Sequence, residues 1–346
     1  MMNQIFRMLA TGAVAIATPL SGHALLPVTG ALPASVAAPV LARAKATLER
    51  PPGAIPKLHT EGTLPGKGIR EISLKAKEDQ PLILAFAMAY RQTGDRAYLA
   101  QTERYLTAWA DIYQPSFNPI DETGFDSLML ANDLVERDLS PAAAKALDRF
   151  WRALAAGYLD AMDGTPKNAV TNWQSHRVKL ATLAAYRVGD MALIARARAA
   201  FRRQIAANVR PDGSVFDFHE RDALHYVTYD LDPLLMAALA ARAHGEDWFA
   251  WRAASGASLA KAVDWLAPYA DGRKVHIEFA RSKIQFDRDR AAAGQSEYAP
   301  HPWNPANAVN TYALAAMIEP RFAPLRDALA KRTGRSPAPW TTYTTR

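Results

Sequence analysis

Residues 81–109 have the sequence PLILAFAMAYRQTGDRAYLAQTERYLTAW, and their pattern indicates two helices joined by a tight turn. Leu82, Phe86 and Ala89 recur at the spacing of one helix face, and the pattern breaks at the Thr-Gly-Asp of residues 93–95. Glycine accommodates the left-handed end of a helix, and an aspartate that follows it caps the next one. The stretch therefore predicts an antiparallel helical hairpin.

The same order of helix, glycine and acidic residue returns at residues 186–190 and 243–247. Only residues 214–218 and 275–279 alternate in polarity, and each could form a short strand or an extended loop. No segment resembles an interdomain linker. We therefore predict an all-α fold, an (α/α) toroid or barrel of helical hairpins in one domain over residues 25–346. Its groove is expected to be formed by long polar loops, at residues 110–125, 167–175, 209–219 and 272–303.

The first 24 residues have the order of a secretory signal peptide. Arg7 precedes an apolar stretch over residues 8–20, and small residues then allow cleavage after Ala24. The apolar stretch is shorter than the roughly 20 residues that span a bilayer. We expect a mature chain that begins near Leu25, is periplasmic or secreted, and has no membrane segment after the signal is cleaved.

Composition narrows the class of partner. The chain has 346 residues, of which 49% are hydrophobic and 22% charged, as in an ordinary globular protein. It has no cysteine, which excludes disulfides, thiolate metal sites and a cysteine nucleophile. Lys and Arg number 41 against 34 Asp and Glu, a formal charge of +7 that favours a polyanionic partner. Because the basic residues are scattered, an acidic polysaccharide is favoured over nucleic acid or a membrane surface.

The first candidate site is the polar run that leads into an apolar helix at residues 178–186. Asn172 and His176 are four residues apart, which places them on one face near a helix N-terminus, and Arg177 follows. Free N–H groups and the helix dipole favour an anion there. Alternatively, Asn172 could only cap the helix while His176 packs against a neighbour.

The second candidate site lies in residues 218–230, ahead of a helix expected from Leu231. Tyr226 and Tyr229 share a helical face, and Arg221 lies about one turn earlier. A tyrosine beside a guanidinium can have a lowered pKa and transfer a proton in either direction. Alternatively, Arg221 could pair with a neighbouring aspartate while the tyrosines pack at the edge of the core.

The third candidate is the charged run at residues 281–288, which contains Lys283 and Arg288 and precedes Trp303. It is either a solvated face or a basic, aromatic surface where cations meet carboxylates and the indole stacks on a sugar. His219 and His225 lack the spacing of a zinc site, and no glycine-rich phosphate loop or glycine-flanked serine is present. We expect no metal and no organic cofactor.

Two of these clusters resemble the alginate lyase superfamily of polysaccharide lyases. The likeness extends over about residues 67–303 and is specific at Asn172–His176–Arg177 and in the run Ala-Leu-His-Tyr that ends at Tyr226, before the Leu-Asp-Pro-Leu of residues 231–234. Members of this superfamily are periplasmic or secreted (α/α) toroids that cleave polyuronates by β-elimination. In the best-known members a histidine directly follows the asparagine, whereas Trp173 stands there in this chain. This departure suggests a related family that acts on glucuronan or another uronan.

The resemblance implies roles for individual residues. The catalytic tyrosine of the superfamily corresponds to Tyr226, and the catalytic arginine corresponds most closely to Arg221. Asn172, with Arg221 or Arg177, would neutralise the substrate carboxylate, and either His176 or Tyr226 would be the base. Tyr226 would also protonate the leaving oxygen. We expect further substrate contacts from Lys67, Arg177, His225, Tyr229, Lys283, Arg288 and Trp303.

Two other functions remain open at this stage. An (α/α) toroid glycoside hydrolase would need two carboxyl groups across the scissile bond, and the available acids form no recognisable pair. Those acids are Asp79, Asp121, Asp126 and Glu220. A non-catalytic periplasmic protein for polyuronate binding or export would keep the groove without turnover. The residues leave open which uronic acid is preferred, whether cleavage is endo or exo, and the oligomeric state.

Overall fold

The computed structural model describes residues 24–26, 28–63, 65–66, 68–164 and 166–345. Lys67 and the first 23 residues of the predicted signal peptide therefore lie outside the described residues. In the described part the chain forms fourteen α-helices: α1 (Ala34–Ala46), α2 (Ile69–Lys77), α3 (Asp79–Thr93), α4 (Arg96–Ile112), α5 (Phe125–Val135), α6 (Pro141–Asp163), α7 (Asn172–Val188), α8 (Met191–Asn208), α9 (Phe216–Arg221), α10 (Leu224–Ala243), α11 (Leu259–Ala270), α12 (Gln285–Ala292), α13 (Val309–Ile318) and α14 (Ala323–Thr333).

Strands are few and short. Strand β1 (Val28–Thr29) pairs antiparallel with β4 (Thr344–Thr345), which joins two distant parts of the chain. Strand β2 (Ile277–Glu278) pairs antiparallel with β3 (His301–Pro302) in the long loop region after α11. The alternation noted at residues 275–279 is thus a two-residue strand.

The helices form two layers. Helices α3, α5, α7, α10 and α13 contact one another in that order and are buried on nearly all sides, as an inner layer requires. Helices α4, α6, α8, α11 and α14 each pack on this layer from outside. A 3₁₀ turn (Pro339–Thr342) touches both α13 and α1, and α1 packs on α3, so the contacts close a ring. The predicted all-α toroid is confirmed.

Two of the three predicted hairpin junctions are confirmed. Helix α3 ends at Gly94 with φ 73°, and the Asp95 carboxylate accepts a hydrogen bond from the first turn of α4. Helix α7 ends at Gly189 with φ 64°, and Asp190 caps α8 in the same way. Both glycines adopt the left-handed conformation that other residues avoid, so local sequence alone determines these turns.

The third junction, at residues 243–247, is a different structure from the one predicted. Helix α10 ends there, but α11 begins only after Ser258, whose hydroxyl caps it. Glu246 does not cap a helix, because Arg198 and the Trp248 indole both donate hydrogen bonds to its carboxylate. Burial opposes ionisation, yet these donors lower the pKa of Glu246 to about 2. The acidic residue therefore ties a loop to α8.

Two other local predictions were wrong. Residues 214–218 make one isolated bridge, between Val215 and Val209, and then enter α9 instead of forming a strand or an extended loop. The helix expected from Leu231 begins at Leu224, seven residues earlier. The first-turn N–H of His225 donates to the buried Glu278 carboxylate at 2.7 Å, which satisfies a helix-end donor from a distant segment. Such a distant partner is invisible in the local sequence.

The apolar core is continuous from Leu25 to Tyr343. Within the described residues, no helix is both long and apolar enough to cross a bilayer. Residues from three of the four predicted loops (110–125, 167–175 and 272–303) meet α9 and α10 around a cavity of about 320 Å³, and no residue of 209–219 lines it.

Candidate active site

The cavity of about 320 Å³ brings both specific clusters of the sequence together. We call it the tyrosine groove, defined by its lining residues Glu61, Ile120, Asn172, Trp173, Arg221, His225, Tyr226, Tyr229, Phe286, Arg290 and Tyr298. Five of the predicted site residues are therefore neighbours around one cavity, although they come from three helices.

Asn172 is the first residue of α7, where it faces the tyrosine groove. The cap of this helix is Thr171, whose hydroxyl accepts a hydrogen bond from the Trp173 N–H at 3.3 Å. The alternative in which Asn172 only caps the helix is therefore wrong. The backbone N–H of Asn172 donates to the Asp217 carboxylate at 2.6 Å, so the start of α7 is anchored to α9.

Asp217 is a buried residue that sequence reasoning missed. One of its oxygens accepts from Asn172, and the other lies 3.7 Å from the Arg221 Nε. Burial raises the pKa of Asp217, while the Asn172 N–H and the Arg221 charge oppose that rise. A single carboxylate thus fixes two candidate catalytic residues relative to each other.

Arg221 and Tyr226 are in direct contact. The guanidinium carbon lies 4.2 Å from the centroid of the phenol ring, and Nη1 donates to the Tyr226 hydroxyl at 3.1 Å. Asp287 accepts a short hydrogen bond from the same guanidinium group. Asp222, with φ 52°, provides the left-handed turn between α9 and α10 that brings the two side chains face to face. Burial raises the pKa of Tyr226, and the Arg221 charge offsets only part of that rise, so the lowered pKa expected for a tyrosine beside a guanidinium is not found.

His176 does not line the tyrosine groove. Its ring is buried, its Nδ1 lies 2.7 Å from the Thr123 hydroxyl, and its centroid is 4.3 Å from that of Tyr229. It lines a separate cavity of about 230 Å³ together with Lys179. Burial and the Lys179 charge hold the pKa of His176 well below its usual range, so the ring is neutral. The structure therefore places this histidine behind Tyr229.

His225 lies in the tyrosine groove, where its ring contacts that of Tyr226 at a centroid distance of 4.2 Å and a tilt of 31°. Its backbone bond to Glu278 and the 3.6 Å approach of Nδ1 to the same carboxylate fix its position. Tyr229, one turn further along α10, completes this side of the groove.

The other predicted substrate contacts are not brought to the groove. Arg177 is buried, donates to Gln174 and to the Lys167 carbonyl, and its guanidinium lies 5.7 Å from the Trp173 ring. It therefore supports a groove residue without reaching the groove itself.

The basic and aromatic surface predicted at residues 281–288 is not assembled as expected. Lys283 is exposed and pairs with Glu220 at 3.1 Å, and Arg288 is exposed and donates to the Ser282 carbonyl. Trp303 is only 7% exposed and packs in the apolar core, so its ring cannot stack on a sugar. Hydrophobic burial accounts for this tryptophan, which the sequence pattern could not distinguish from a sugar platform.

Three groove residues escaped sequence reasoning: Glu61, Arg290 and Tyr298. Arg290 lies two residues past the charged run that was singled out, and Glu61 belongs to a loop more than 100 residues before the catalytic candidates. Burial and the Asp121 charge raise the pKa of Glu61, and the Arg290 charge lowers it. No local signal marks these residues, because only the fold brings them to Tyr226.

In the described part of the chain, no group of three or more His, Asp or Glu side chains is arranged to bind a metal ion. Metal independence remains a prediction, to be tested with a chelator.

The comparisons with known proteins match this architecture. The alginate lyase family model matches residues 36–276, most of the chain, and the chain therefore belongs to the alginate lyase family. The predicted superfamily is confirmed. A polysaccharide lyase of Stenotrophomonas maltophilia strain K279a is 31% identical over 219 residues, which span 59% of this chain and 61% of that relative.

Two solved structures share the fold at low sequence identity. An alginate lyase from Bacteroides ovatus is 16% identical, with a TM-score of 0.63 over 86% of this chain and 89% of its own. Alginate lyase A1-III from Sphingomonas species A1 is 17% identical, with a TM-score of 0.56 over 76% of this chain and 82% of its own. A variant of A1-III with a tyrosine replaced by phenylalanine was crystallised with a tetrasaccharide.

The half-buried Asp232 predicts a pH dependence of stability. It accepts a hydrogen bond from the Thr311 hydroxyl at 2.5 Å, and burial raises the pKa of Asp232 to about 7. An unfolded aspartate has a pKa of about 3.9, so the native state keeps a proton that the unfolded chain has released. The stability from this group is therefore complete below about pH 4 and is lost as pH rises through about 7.

We expect Asp232→Asn, which cannot ionise, to lose less stability than the parent when the pH is raised from about 5 to about 8. Thermal unfolding at a series of pH values measures this, with Asp327→Asn as the control because that aspartate is 67% exposed. The stability of the Asp327→Asn control should fall with rising pH as steeply as that of the parent. A decline in Asp232→Asn as steep as that of the parent would refute the assignment.

Proposed function

We propose that this protein is a lyase that cleaves an acidic polyuronate by β-elimination, without a metal or organic cofactor. The observation that carries the proposal is the Arg221–Tyr226 contact at 3.1 Å inside the tyrosine groove, with Asn172 on the same cavity. Membership of the alginate lyase family supports it, as does the fold shared with two alginate lyases.

The reaction removes the C5 proton of a uronate, breaks the bond from C4 to the linking oxygen and leaves a C4–C5 double bond. As the C5 proton leaves, negative charge accumulates on the carboxylate. Donors placed for that charge lower the barrier. Asn172 presents its side-chain amide at the groove, which suits this task, while its backbone N–H is already bonded to Asp217.

Tyr226 is the base and the acid in this proposal. Its hydroxyl is in the groove beside the Arg221 guanidinium, whose charge offsets part of the rise that burial causes in the pKa of Tyr226, whereas His176 lies behind Tyr229. The reacting form is the phenolate: its oxygen takes the C5 proton, and the phenol so formed gives that proton to the leaving C4 oxygen, which regenerates the phenolate. Arg221 is held beside it by Asp217 and Asp287, and those two carboxylates act as positioning residues.

One residue can serve both steps only if the C5 hydrogen and the C4 oxygen lie on the same face of the sugar ring. Mannuronate and glucuronate have this arrangement, and guluronate, which differs from mannuronate in its configuration at C5, does not. We therefore propose mannuronan or glucuronan as the substrate, ahead of guluronan. This preference follows from the use of Tyr226 as both base and acid, and it fails if guluronan is cleaved fastest.

The glycoside hydrolase alternative finds little support in the groove. Of the described residues that line it, Glu61 alone carries a carboxyl group, whereas hydrolysis with a general acid requires two. The four acids considered from the sequence are engaged elsewhere: Asp79 with Trp109, Asp121 with His59, Asp126 with Lys179 and Glu220 with Lys283.

The substrate class fits the charge and the proposed export of the chain. We propose that the first 24 residues direct it to the periplasm or the medium, where acidic polysaccharides occur. The test is size-exclusion chromatography of mannuronan, glucuronan and guluronan after incubation with the purified protein. A lyase shortens at least one polymer, whereas a binding or export protein leaves all three intact.

Activity should be insensitive to a chelator and sensitive to salt. The proposed chemistry uses only side chains, so EDTA should leave the rate unchanged. The net positive charge attracts a polyanion over distances that screening shortens to about 8 Å at 0.15 M ionic strength. We therefore expect kcat/KM to fall as salt rises. Abolition of turnover by EDTA and recovery with one divalent ion would contradict this.

A further inference from the structure

Arg290 is held between two aromatic rings at the edge of the tyrosine groove. Its guanidinium carbon lies 4.2 Å from the centroid of Phe286, one turn earlier on α12, and 4.6 Å from that of Tyr298. Contact with ring faces fixes the position of a guanidinium while its N–H edges remain available for hydrogen bonds. Its Nη1 lies 3.4 Å from the Tyr226 hydroxyl, so the group borders the reacting centre.

The arginines near this site differ in how their charge is compensated. Arg221 has Asp287 and Asp217 beside it, and Arg177 is buried outside the groove. Arg290 forms no ion pair with a carboxylate among the residues that the structure describes, and its charge only offsets part of the rise that burial and Asp121 cause in the pKa of Glu61. Its positive charge is therefore the one in the groove that remains available to an anionic ligand.

The geometry points to Arg290 as the residue that recognises the carboxylate of the uronate losing its C5 proton, a role that rests on the lyase activity proposed above. That carboxylate is bonded to C5, and the leaving oxygen is on the adjacent C4. Tyr226, which acts on both the C5 proton and the C4 oxygen, must lie within a few ångströms of the carboxylate. Arg290 lies 3.4 Å from the Tyr226 hydroxyl and is therefore close to the carboxylate as well. The planar fork of an arginine matches a carboxylate with two parallel hydrogen bonds.

This assignment gives Arg290 a specificity role and leaves Arg221 to act on Tyr226. If Arg290 binds the uronate carboxylate, it should raise the affinity for a uronate but not for a sugar whose carboxyl has been reduced to an alcohol. A merely structural role in holding Phe286 and Tyr298 would affect charged and neutral ligands equally.

The test measures binding in the Tyr226→Phe variant, which should not consume its ligand. Calorimetry compares tetramannuronate and tetraglucuronate with their carboxyl-reduced counterparts. We expect Arg290→Ala to weaken binding of a tetrauronate about 10- to 100-fold, the equivalent of lost hydrogen bonds to a charged group. Binding of the neutral tetrasaccharide should change by less than about twofold. Arg290→Lys keeps the charge without the planar fork of the guanidinium, so its affinity for a tetrauronate should lie between those of the parent and of Arg290→Ala.

Arg273→Ala is the matched control, because this arginine is 71% exposed, pairs with Asp271 and lies outside the groove. Arg273→Ala should leave the affinities for the tetrauronate and for its carboxyl-reduced counterpart unchanged. Equal weakening of charged and neutral ligands by Arg290→Ala, or no weakening, would overturn the inference. If the parent cleaves a polyuronate and Arg290→Ala matches its kcat/KM, only the inference fails. If the parent cleaves no polyuronate, the proposed function fails with it.

Discussion

Tyr226→Phe should lower the turnover of a polyuronate by about 10²-fold or more, because the phenol hydroxyl is the proposed proton donor and acceptor. The ring and its contacts with Arg221 and His225 persist in the variant. Loss of the hydrogen bonds that Arg221 and Arg290 donate to the hydroxyl should cost about 1–3 kcal/mol of stability. Initial rates from ultraviolet absorbance, together with thermal unfolding, measure both quantities.

Tyr229→Phe is the matched control for this prediction. Tyr229 lies one turn away on the same helix and contacts the His176 ring, and we assign it only sugar contact. Its loss should raise KM more than it lowers kcat. An equal loss of kcat in both variants, or a loss in Tyr229→Phe alone, would show that the roles are wrongly assigned.

Asn172→Ala should lower kcat by about 10²–10³-fold, the cost of removing one donor from a developing oxyanion. The backbone N–H that donates to Asp217 is retained in alanine, so the anchor between α7 and α9 should survive. The expected loss therefore reflects the side-chain amide. Steady-state kinetics on the preferred polyuronate measure it.

Thr171→Ala provides the control for Asn172 from the adjacent position. It removes the cap of α7 and should cost about 1 kcal/mol of stability with little change in kcat. If the Thr171 variant loses as much kcat as the Asn172 variant, helix placement and not the amide accounts for the loss.

The fold was predictable where the signal is local. Gly94 with Asp95, and Gly189 with Asp190, each combine a left-handed glycine and a capping carboxylate within two residues. The junction at residues 243–247 shows the limit of such a pattern. Glu246 has the right residue type and position, but an arginine 48 residues away binds its carboxylate.

The candidate site was predictable only in part, for the same physical reason. Tyr226 and Arg221 are close in sequence, and their contact follows from one turn between two helices. Asp217 acts on a residue 45 positions away, and Arg290 approaches one 64 positions away. No spacing rule predicts such partners. Trp303 shows the opposite error, since an aromatic residue in a polar loop proved to belong to the core.

The central claim, elimination at the tyrosine groove, is tested most directly by counting two products of one reaction. Each β-elimination creates one unsaturated ring that absorbs ultraviolet light and one new reducing end. The purified protein, with the polyuronate it shortens, should generate the two in equal numbers throughout the time course. New reducing ends without ultraviolet absorbance would show hydrolysis instead and would contradict the account.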